Sequence, residues 1–183
     1  MAVHGTLHHH HGPAGDAVDP GTRCLEAEIC DDVKVAAPHV ATADLVAMAA
    51  ASIALPVPVP HTDPASRTWV SLSTYLWIDR TIWHPYTGTA GAAGQTVTLT
   101  GRPSRVLWDL GETVITCAGR SCAYAFHRPT PGSAYQISAT VNYDVTWTCR
   151  GACDAGSGTY GPLPATGTTR LPVGEIQTVT GPG

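Results

Sequence analysis

The chain has 183 residues and a formal net charge of −4, which fits one ordinary domain with an additional segment and argues against a two-domain enzyme. Only 13% of the residues are charged, and the 19 glycines and 15 prolines indicate a turn-rich globular protein. Lys34 is the only lysine, so the chain lacks the dense basic patch that neutralises a row of phosphates, and we expect no nucleic-acid partner.

Residues 1–40 carry the whole net charge and form the first predicted segment. This polar stretch, interrupted by Gly and Pro, buries too little apolar surface to order itself, so it is predicted to be a disordered acidic leader. Its tract His8–His11 is typical of an expression tag, although a natural tract would look the same. Residues 1–15 contain no apolar signal-peptide core and no run of 18 apolar residues occurs, so we expect no membrane insertion.

Residues 41–66 form the second predicted segment, a short helix followed by a proline strut. The run 42–55 begins with Thr42, a candidate N-cap, and continues with good helix formers. Residues 56–60 alternate proline and valine, which predicts an extended and semi-rigid connection. The apolar face of the helix is predicted to comprise Leu45, Val46, Met48, Ala49 and Ile53.

Six cysteines occur as three close pairs, a pattern that favours local disulfides and therefore an oxidising exterior. Zinc is the main alternative, but these spacings are looser than the C-x2-C turn of a zinc knuckle, and we expect no metal and no cofactor. Six cysteines permit fifteen pairings, so pairing between neighbours rests on proximity alone. The predicted pairs are Cys24 with Cys30, Cys117 with Cys122, and Cys149 with Cys153.

Residues 67–183 form the third predicted segment, an antiparallel β-sandwich. Twenty of the 24 threonines, all five tryptophans and all six tyrosines lie here, and short apolar alternations are separated by Gly, Pro and Ser. The strands are predicted at 70–78, 96–101, 105–109, 113–117, 122–127, 135–149 and 168–179.

The strand at 135–149 gives the strongest signal, because fifteen residues alternate between apolar and polar without an error. At about 3.4 Å per residue it runs roughly 50 Å, more than twice the usual length, so it must bend, bulge or project. We expect its last third to project as a hairpin, with Cys149 and Cys153 holding the start of a loop that continues through 156–164.

Several motifs in this segment resemble those of the polycystic-kidney-disease (PKD) domain, an immunoglobulin-like β-sandwich. The chain is also similar, over roughly three quarters of its length, to a group of secreted actinobacterial proteins of unknown function. The resemblance implies fold and location and almost nothing about activity. It departs from the PKD pattern at Leu110, Glu112 and Thr113. The motifs that carry it are Val106-Leu-Trp-Asp-Leu-Gly-Glu112, Ala123-Tyr-Ala-Phe126, Pro131-Gly-Ser-Ala-Tyr-Gln-Ile137, Leu76-Trp-Ile-Asp79 and the strand from Thr140 to Trp147.

Four residues of these motifs are predicted to be structural. Trp108 on a central strand fills the space between sheets, as the strand tryptophan of immunoglobulin-type domains does. Asp109 and Gly111 belong to the following turn, where an Asp side chain accepts backbone N–H groups and Gly permits a positive φ. Tyr135, at the head of the long strand, occupies the position of a corner tyrosine.

No pattern of catalytic residues appears, so we expect a protein that is not an enzyme. The chain has no G-x-S-x-G, H-E-x-x-H or Walker loop. The run from Gly88 to Gly94 is interpreted as a hairpin loop rather than a phosphate cradle. Asp109 and Glu112 are candidates for a carboxylate pair or a weak calcium site, but at this spacing in a turn they more readily cap backbone groups.

The aromatic residues supply the candidate binding site. Trp77 and Trp108 are predicted to fill the core, because a chain with a single Phe must use Trp there. The candidate binding residues are Trp69, Trp83 and Tyr86, next to Arg67, Arg80 and His84, with Tyr160 in a second surface formed by 143–160.

The expected function is that of a non-catalytic secreted or cell-surface β-sandwich that binds a protein or glycan of the cell envelope. A carbohydrate-binding module and a small extracellular hydrolase remain the alternatives.

Overall fold

The structure is a computed structural model that describes residues 39–176, together with the backbone of two short strands, β1 (Arg23–Cys24) and β2 (Cys30–Asp31). These strands pair antiparallel, with Cys24 opposite Cys30. The predicted disordered leader and the predicted disulfide between these two side chains lie outside the described residues. The chain divides into two compact units, Met1–His39 and Val40–Gly183, and the remaining description concerns the second.

The predicted helix is confirmed as α1 (Thr42–Ala51), four residues shorter than expected. Its N-cap is Ala41 rather than Thr42, because the Thr42 hydroxyl donates to Gln95 Oε1 at 2.6 Å and accepts the backbone N–H of Asp154. The Asp154 carboxylate in turn accepts the backbone N–H of Thr42 at 2.9 Å. An acidic group at a helix N-terminus satisfies a free N–H and interacts favourably with the helix dipole, so a distant loop caps this helix.

Between the helix and residue 176, the structure has ten further strands, with a single turn of 3₁₀ helix at Arg80–Ile82 between the third and the fourth of them. They are β3 (His61–Asp63), β4 (Thr68–Trp69), β5 (Ser73–Trp77), β6 (Tyr86–Ala92), β7 (Gln95–Asp109), β8 (Val114–Cys117), β9 (Ser121–Ala125), β10 (Tyr135–Gly151), β11 (Ser157–Leu171) and β12 (Val173–Gly174).

The strand predictions differ from these bounds in several places, and no strand was predicted over β3, β4 or β6. The two strands predicted at 96–101 and 105–109 are one continuous strand, β7, which keeps pairing with β10 through a shift in register near Ser104. The return strand predicted to begin at residue 168 begins at Ser157, so most of the predicted 156–164 loop is strand. The Gly and Pro residues in that stretch are typical of a loop, but both are tolerated in a strand at the edge of a sheet, which is where β11 lies.

The fold is mostly β, as predicted, with antiparallel pairing in both larger sheets, which are curled. One sheet has the order β11–β10–β7–β6, with β8 also paired to β7. A second sheet has the order β3–β5–β9, and a short parallel pair joins β12 to β4. β10 pairs over nearly its whole length both with β11, the next strand along the chain, and with β7, from which β8 and β9 separate it in sequence.

The two larger sheets share one hydrophobic core. Leu76 and Phe126 reach it from β5 and the end of β9, and Trp108, Ile137 and Val141 reach it from the five-stranded sheet. All five side chains are fully buried. Burial of each such side chain contributes about 1.5–3 kcal/mol relative to exposure, so this core stabilises both layers together.

The helix α1 covers a second core at the other end of the five-stranded sheet. Its Leu45 and Ala49 pack with Val97 and Leu99 of β7 and Val145 of β10. The prediction that the last third of β10 projects as a hairpin is therefore wrong, because that part of β10 stays paired with β7 as far as Gly151 and its Val145 is buried beneath α1. Met48, assigned to the apolar face of the helix, is 58% exposed.

The glycine-rich run 88–94 forms the end of β6 and a tight turn into β7. A side chain at Gly88 would collide with the carbonyl oxygen of Ala49, so the glycine lets the helix cross β6 closely. No helix within residues 39–176 has the length and apolar character needed to span a membrane.

The proline strut, residues 56–60, packs against the sheets along its length rather than only connecting α1 to β3. Pro58 and Pro60 are buried, while Val57 and Val59 are largely exposed. The carbonyl group of Pro58 lies directly above Gly167 of β11, where a side chain would collide with it.

Candidate functional site

Two of the three predicted disulfides are present. Cys117–Cys122 joins the end of β8 to β9, and Cys149–Cys153 closes a loop at the end of β10. Both close short loops, and each therefore stabilises by about 2 kcal/mol through its effect on the unfolded chain. Disulfides of this kind indicate an oxidising environment.

The four residues predicted to be structural surround one corner of the main core. Trp108 is fully buried, and its Nε1 has no hydrogen-bond partner. Asp109 Oδ1 accepts the backbone N–H of Gly111 at 2.9 Å, and Gly111 has φ +81°. The Tyr135 ring packs on Gly111, and its hydroxyl donates to the carbonyl of Pro129 at 3.2 Å.

The two carboxylates of this corner do not converge, because Glu112 points to different partners from Asp109. Its Oε1 accepts from the Tyr124 hydroxyl and the backbone N–H of His127, both at 2.9 Å, and its Oε2 accepts the backbone N–H of Arg128 at 3.1 Å. The Glu112 side chain is only 3% exposed. Burial, and then the bond to Glu112, raise the pKa of Tyr124 to about 12.

A shallow cavity of about 210 Å³ opens beside this corner, lined by Gly111, Glu112, Arg128, Pro129, Pro131 and Tyr135. The carboxylate on its wall already receives three hydrogen bonds from the protein. The arrangement is therefore suited to holding two loops together, and it offers no unoccupied base for acid–base chemistry.

The four candidate binding residues do not form a single aromatic cluster, although Trp83 and Tyr86 both pack against the main core. Trp69 packs over Gly174, with Arg67 5.6 Å above its ring, and Trp83 packs against the main core. The Tyr86 ring meets the Tyr143 ring edge-on, and burial raises the pKa of Tyr86. Tyr160 is 37% exposed on β11. Within residues 39–176 no ring contact joins any two of the four, so whether they bind anything stays a prediction.

The structure brings a different set of rings together on the outer face of the three-stranded sheet. His61 of β3 lies opposite Trp77 of β5, with ring centroids 5.4 Å apart and planes 18° from parallel. Tyr75, two residues before Trp77, lies 5.5 Å from it and is 46% exposed. We call His61, Tyr75 and Trp77 the aromatic face.

Small and acidic side chains border the aromatic face. On β9, Ala123 lies opposite Tyr75 and Ser121 lies opposite Trp77, so that edge of the rings is left uncovered. Asp63 is opposite Tyr75 on the β3 side, and Asp79 Oδ2 lies 3.3 Å from His61 Nε2. The arrangement therefore offers ring surfaces for stacking and carboxylate oxygens as acceptors, which is what recognition of a polar, ring-shaped or aromatic ligand requires.

The prediction that Trp77 fills the core is wrong. The residues Tyr-Leu-Trp-Ile at 75–78 are all apolar, so their alternation gave no indication of which pair faces inward. Leu76 and Ile78 are fully buried, which leaves Tyr75 and Trp77 outside. His61 could not be linked to them from sequence, since the pairing of β3 with β5 joins residues 12–16 positions apart across the intervening β4.

Within the part of the chain that the structure describes, no three His, Cys, Asp or Glu side chains are grouped so as to hold a metal ion. Comparisons with protein-family models, with curated proteins and with solved structures found no match.

Proposed function

We propose that this chain is a non-catalytic, secreted or cell-surface module with an immunoglobulin- and PKD-like fold that binds a component of the cell envelope through the aromatic face. The observation that carries the proposal is the stack of the partly exposed His61 and Trp77 beside the exposed Tyr75 on the outer face of the three-stranded sheet. Large rings exposed on a rigid scaffold are costly to leave in water, and such rings are enriched at binding sites.

The order of the strands supports the proposed fold. In immunoglobulin lettering, β3, β5 and β9 correspond to strands A, B and E, and β7, β10 and β11 correspond to C, F and G. Trp108 then stands on strand C, where this fold carries its buried tryptophan. Tyr135 then stands near the start of strand F, with its hydroxyl bonded to a carbonyl six residues upstream, as a corner tyrosine does.

The two disulfides support the proposed location. Reducing compartments keep neighbouring thiols free, whereas secreted domains retain bridges that close short loops. A module held by such bridges is suited to the outside of the cell.

A glycan is the second candidate partner, favoured by the acceptors beside the rings. Asp63 and Asp79 are both exposed, and they lie at either end of the row formed by the three rings. Sugar rings stack on aromatic side chains while their hydroxyls donate to carboxylates, so this border fits a saccharide as well as a peptide.

The test is sedimentation of the full chain with cell-envelope preparations of an actinobacterium. Substitution of Tyr75 and Trp77 together by alanine is expected to weaken binding by at least about tenfold, because truncation of a central aromatic contact typically has that effect. Val114→Ala is the control, since it removes an exposed apolar side chain from another sheet. Unchanged binding by the aromatic-face variant, or no binding by the unsubstituted chain, would refute the proposal.

Envelopes stripped of protein by protease separate the two candidate partners. Loss of binding on stripped envelopes identifies a protein partner, whereas retained binding that disappears after enzymatic digestion of the glycan identifies a saccharide.

A further inference from the structure

The outer face of the five-stranded sheet carries two rows of hydroxyl groups in exact cross-strand register. In the first row, Thr87, Thr100, Thr146 and Thr159 lie directly opposite one another on β6, β7, β10 and β11. In the second row, Thr89, Thr98, Thr148 and Ser157 do the same. We call these eight residues the hydroxyl rows.

None of the eight side-chain hydroxyls makes a hydrogen bond within the described part of the chain. Six of the eight residues are exposed, and the two on the central strand β7, Thr98 and Thr100, are partly exposed. At the other end of the same face, Thr140 and Thr166 bond to each other at 2.8 Å. The hydroxyl rows therefore present donors and acceptors that only water or a ligand can satisfy.

The opposite side of the sheet holds the hydroxyl rows in place. Val97, Leu99 and Val145 alternate with these residues along β7 and β10 and are buried beneath α1. The disulfide Cys149–Cys153 closes the end of β10 next to Thr148. A ligand would thus meet an array that is already ordered, which lowers the entropic cost of binding.

The charge of this surface restricts the partner. All eight residues are neutral, and the neighbouring outward positions carry Arg102 opposite Asp144 on one side and Arg150 on the other. The nearest charges are therefore mixed in sign and lie outside the rows. An anionic polymer would find no matching row of cations here, so the surface is complementary to an uncharged ligand.

The geometry points to a linear ligand rather than a planar one. Neighbouring strands lie about 4.8 Å apart, so each row extends roughly 14 Å across the four strands and the two rows lie roughly 7 Å apart. Adjacent strands are also rotated by about 20–25°, and this sheet is curled, so the rows do not lie in one plane. A single flexible chain with hydroxyls at a short repeat can follow the rows, whereas a flat crystal surface cannot.

We propose that the hydroxyl rows bind an uncharged, unbranched polysaccharide that lies across the strands. Each threonine hydroxyl exchanges hydrogen bonds with a sugar hydroxyl, and each threonine methyl contacts the C–H face of a ring. This surface lies on a different sheet from the aromatic face, so the inference does not depend on the function proposed above.

The test measures binding of the full chain to soluble neutral chains, namely cello-oligosaccharides, chito-oligosaccharides and a linear glucan, with polygalacturonate as the charged comparison. A variant with Thr87, Thr100, Thr146 and Thr159 all replaced by valine keeps the side-chain shape and removes one row of hydroxyls. We expect binding to at least one neutral polymer to weaken by about tenfold or more, since each lost bond leaves sugar hydroxyls unpaired. Thermal unfolding of the variant confirms that the fold is retained.

A variant with Thr140→Val and Thr166→Val is the matched control, because it removes a hydroxyl pair from the same face outside the rows. It is expected to bind as the unsubstituted chain does. The proposal is overturned if no neutral polymer binds, if the row variant binds as tightly as the control, or if polygalacturonate binds best.

Inhibition of ice recrystallisation that is lost in the row variant, without polymer binding, would assign the rows to ordered water instead. The variant Trp77→Ala separates this result from the aromatic face, since it should leave row-dependent binding intact.

Discussion

At the scale of single residues, Glu112 is the most densely bonded side chain of the described molecule. It stands after β7 and receives hydrogen bonds from Tyr124 on β9 and from the backbone at His127 and Arg128, which follow that strand. A buried carboxylate is costly unless its oxygens are satisfied, and three donors satisfy them here. The group therefore fastens the turn between β7 and β8 to the loop before β10.

Replacement of Glu112 by glutamine is expected to lower the free energy of unfolding by about 1–3 kcal/mol. The amide keeps one acceptor oxygen but turns an N–H₂ group toward the Arg128 N–H, so that N–H loses its acceptor and the buried amide N–H₂ faces a donor. Chemical denaturation at neutral pH measures the change. Glu175→Gln, at an exposed position, serves as the control and should leave the unfolding midpoint unchanged. Equal midpoints for the two variants would show that the hydrogen bond from Arg128 contributes nothing.

The sequence identified some residues of this corner and not others, for a physical reason. Gly111 and Asp109 could be assigned because their interaction is local, two residues apart within one turn. Trp108 could be assigned because it alternates with Val106 and Leu110, which mark an apolar side of its strand. Glu112 could not, since its partners lie 12–16 residues away and only the fold brings them to it.

At the scale of elements, the hairpin of β6 and β7 is held by an unusual turn. Ala92 pairs with Gln95, and the two residues between them, Ala93 and Gly94, have φ +49° and +75°. Two positive φ angles in a two-residue connection define a type I′ turn, which favours Asn-Gly. An alanine in the left-handed region is strained, because its Cβ approaches the following carbonyl oxygen.

Substitution of Ala93 by asparagine is expected to stabilise the protein by about 1 kcal/mol, because asparagine tolerates the left-handed conformation better. The measurement is the midpoint of thermal unfolding, which should rise by a few degrees. Ala123→Asn places the same residue on an exposed strand position, where asparagine is disfavoured, and should lower the midpoint slightly. A lower midpoint for the Ala93 variant would contradict the turn assignment.

The elements differ in how readily the sequence pattern predicts them. The strand β10 was predictable because one of its faces is buried along most of its length, so its alternation is unbroken from Tyr135 to Cys149. Only residues 168–171 of its partner β11 were predicted, because Gly158 makes room for the Trp147 ring and prolines occupy an edge. The hydroxyl rows were visible only as an excess of threonine, since cross-strand register depends on tertiary pairing.

At the scale of the whole molecule, buried tyrosines make folding sensitive to alkaline pH. Burial raises the pKa of Tyr143 to about 12, and burial together with Glu112 does the same for Tyr124. Both values lie above the ordinary 10.0, so the folded state holds these protons more tightly than the unfolded chain does. The stability that they contribute is complete below pH 10 and is lost as the pH rises toward 12.

We therefore expect the free energy of unfolding to fall steadily above pH 10, as denaturation at a series of pH values would reveal. In Tyr124→Phe the fall should be shallower, because one shifted group is absent. Tyr160→Phe is the control and should follow the unsubstituted chain, since Tyr160 is exposed on β11. Identical slopes for all three proteins would contradict a link between burial of Tyr124 and alkaline sensitivity.

The buried prolines between α1 and β3 bear on how the helix behaves once it separates from the sheet. The carbonyl group of Pro58 packs on Gly167. A helix that separates from the sheet therefore stays tethered to it by the few residues between Ala51 and Pro58. Tethering of this kind gives a local concentration on the order of millimolar or higher, and re-docking becomes an intramolecular event that dilution cannot oppose. We therefore expect α1 to stay docked on the buried side of β7 and β10 even where its own contacts are weak.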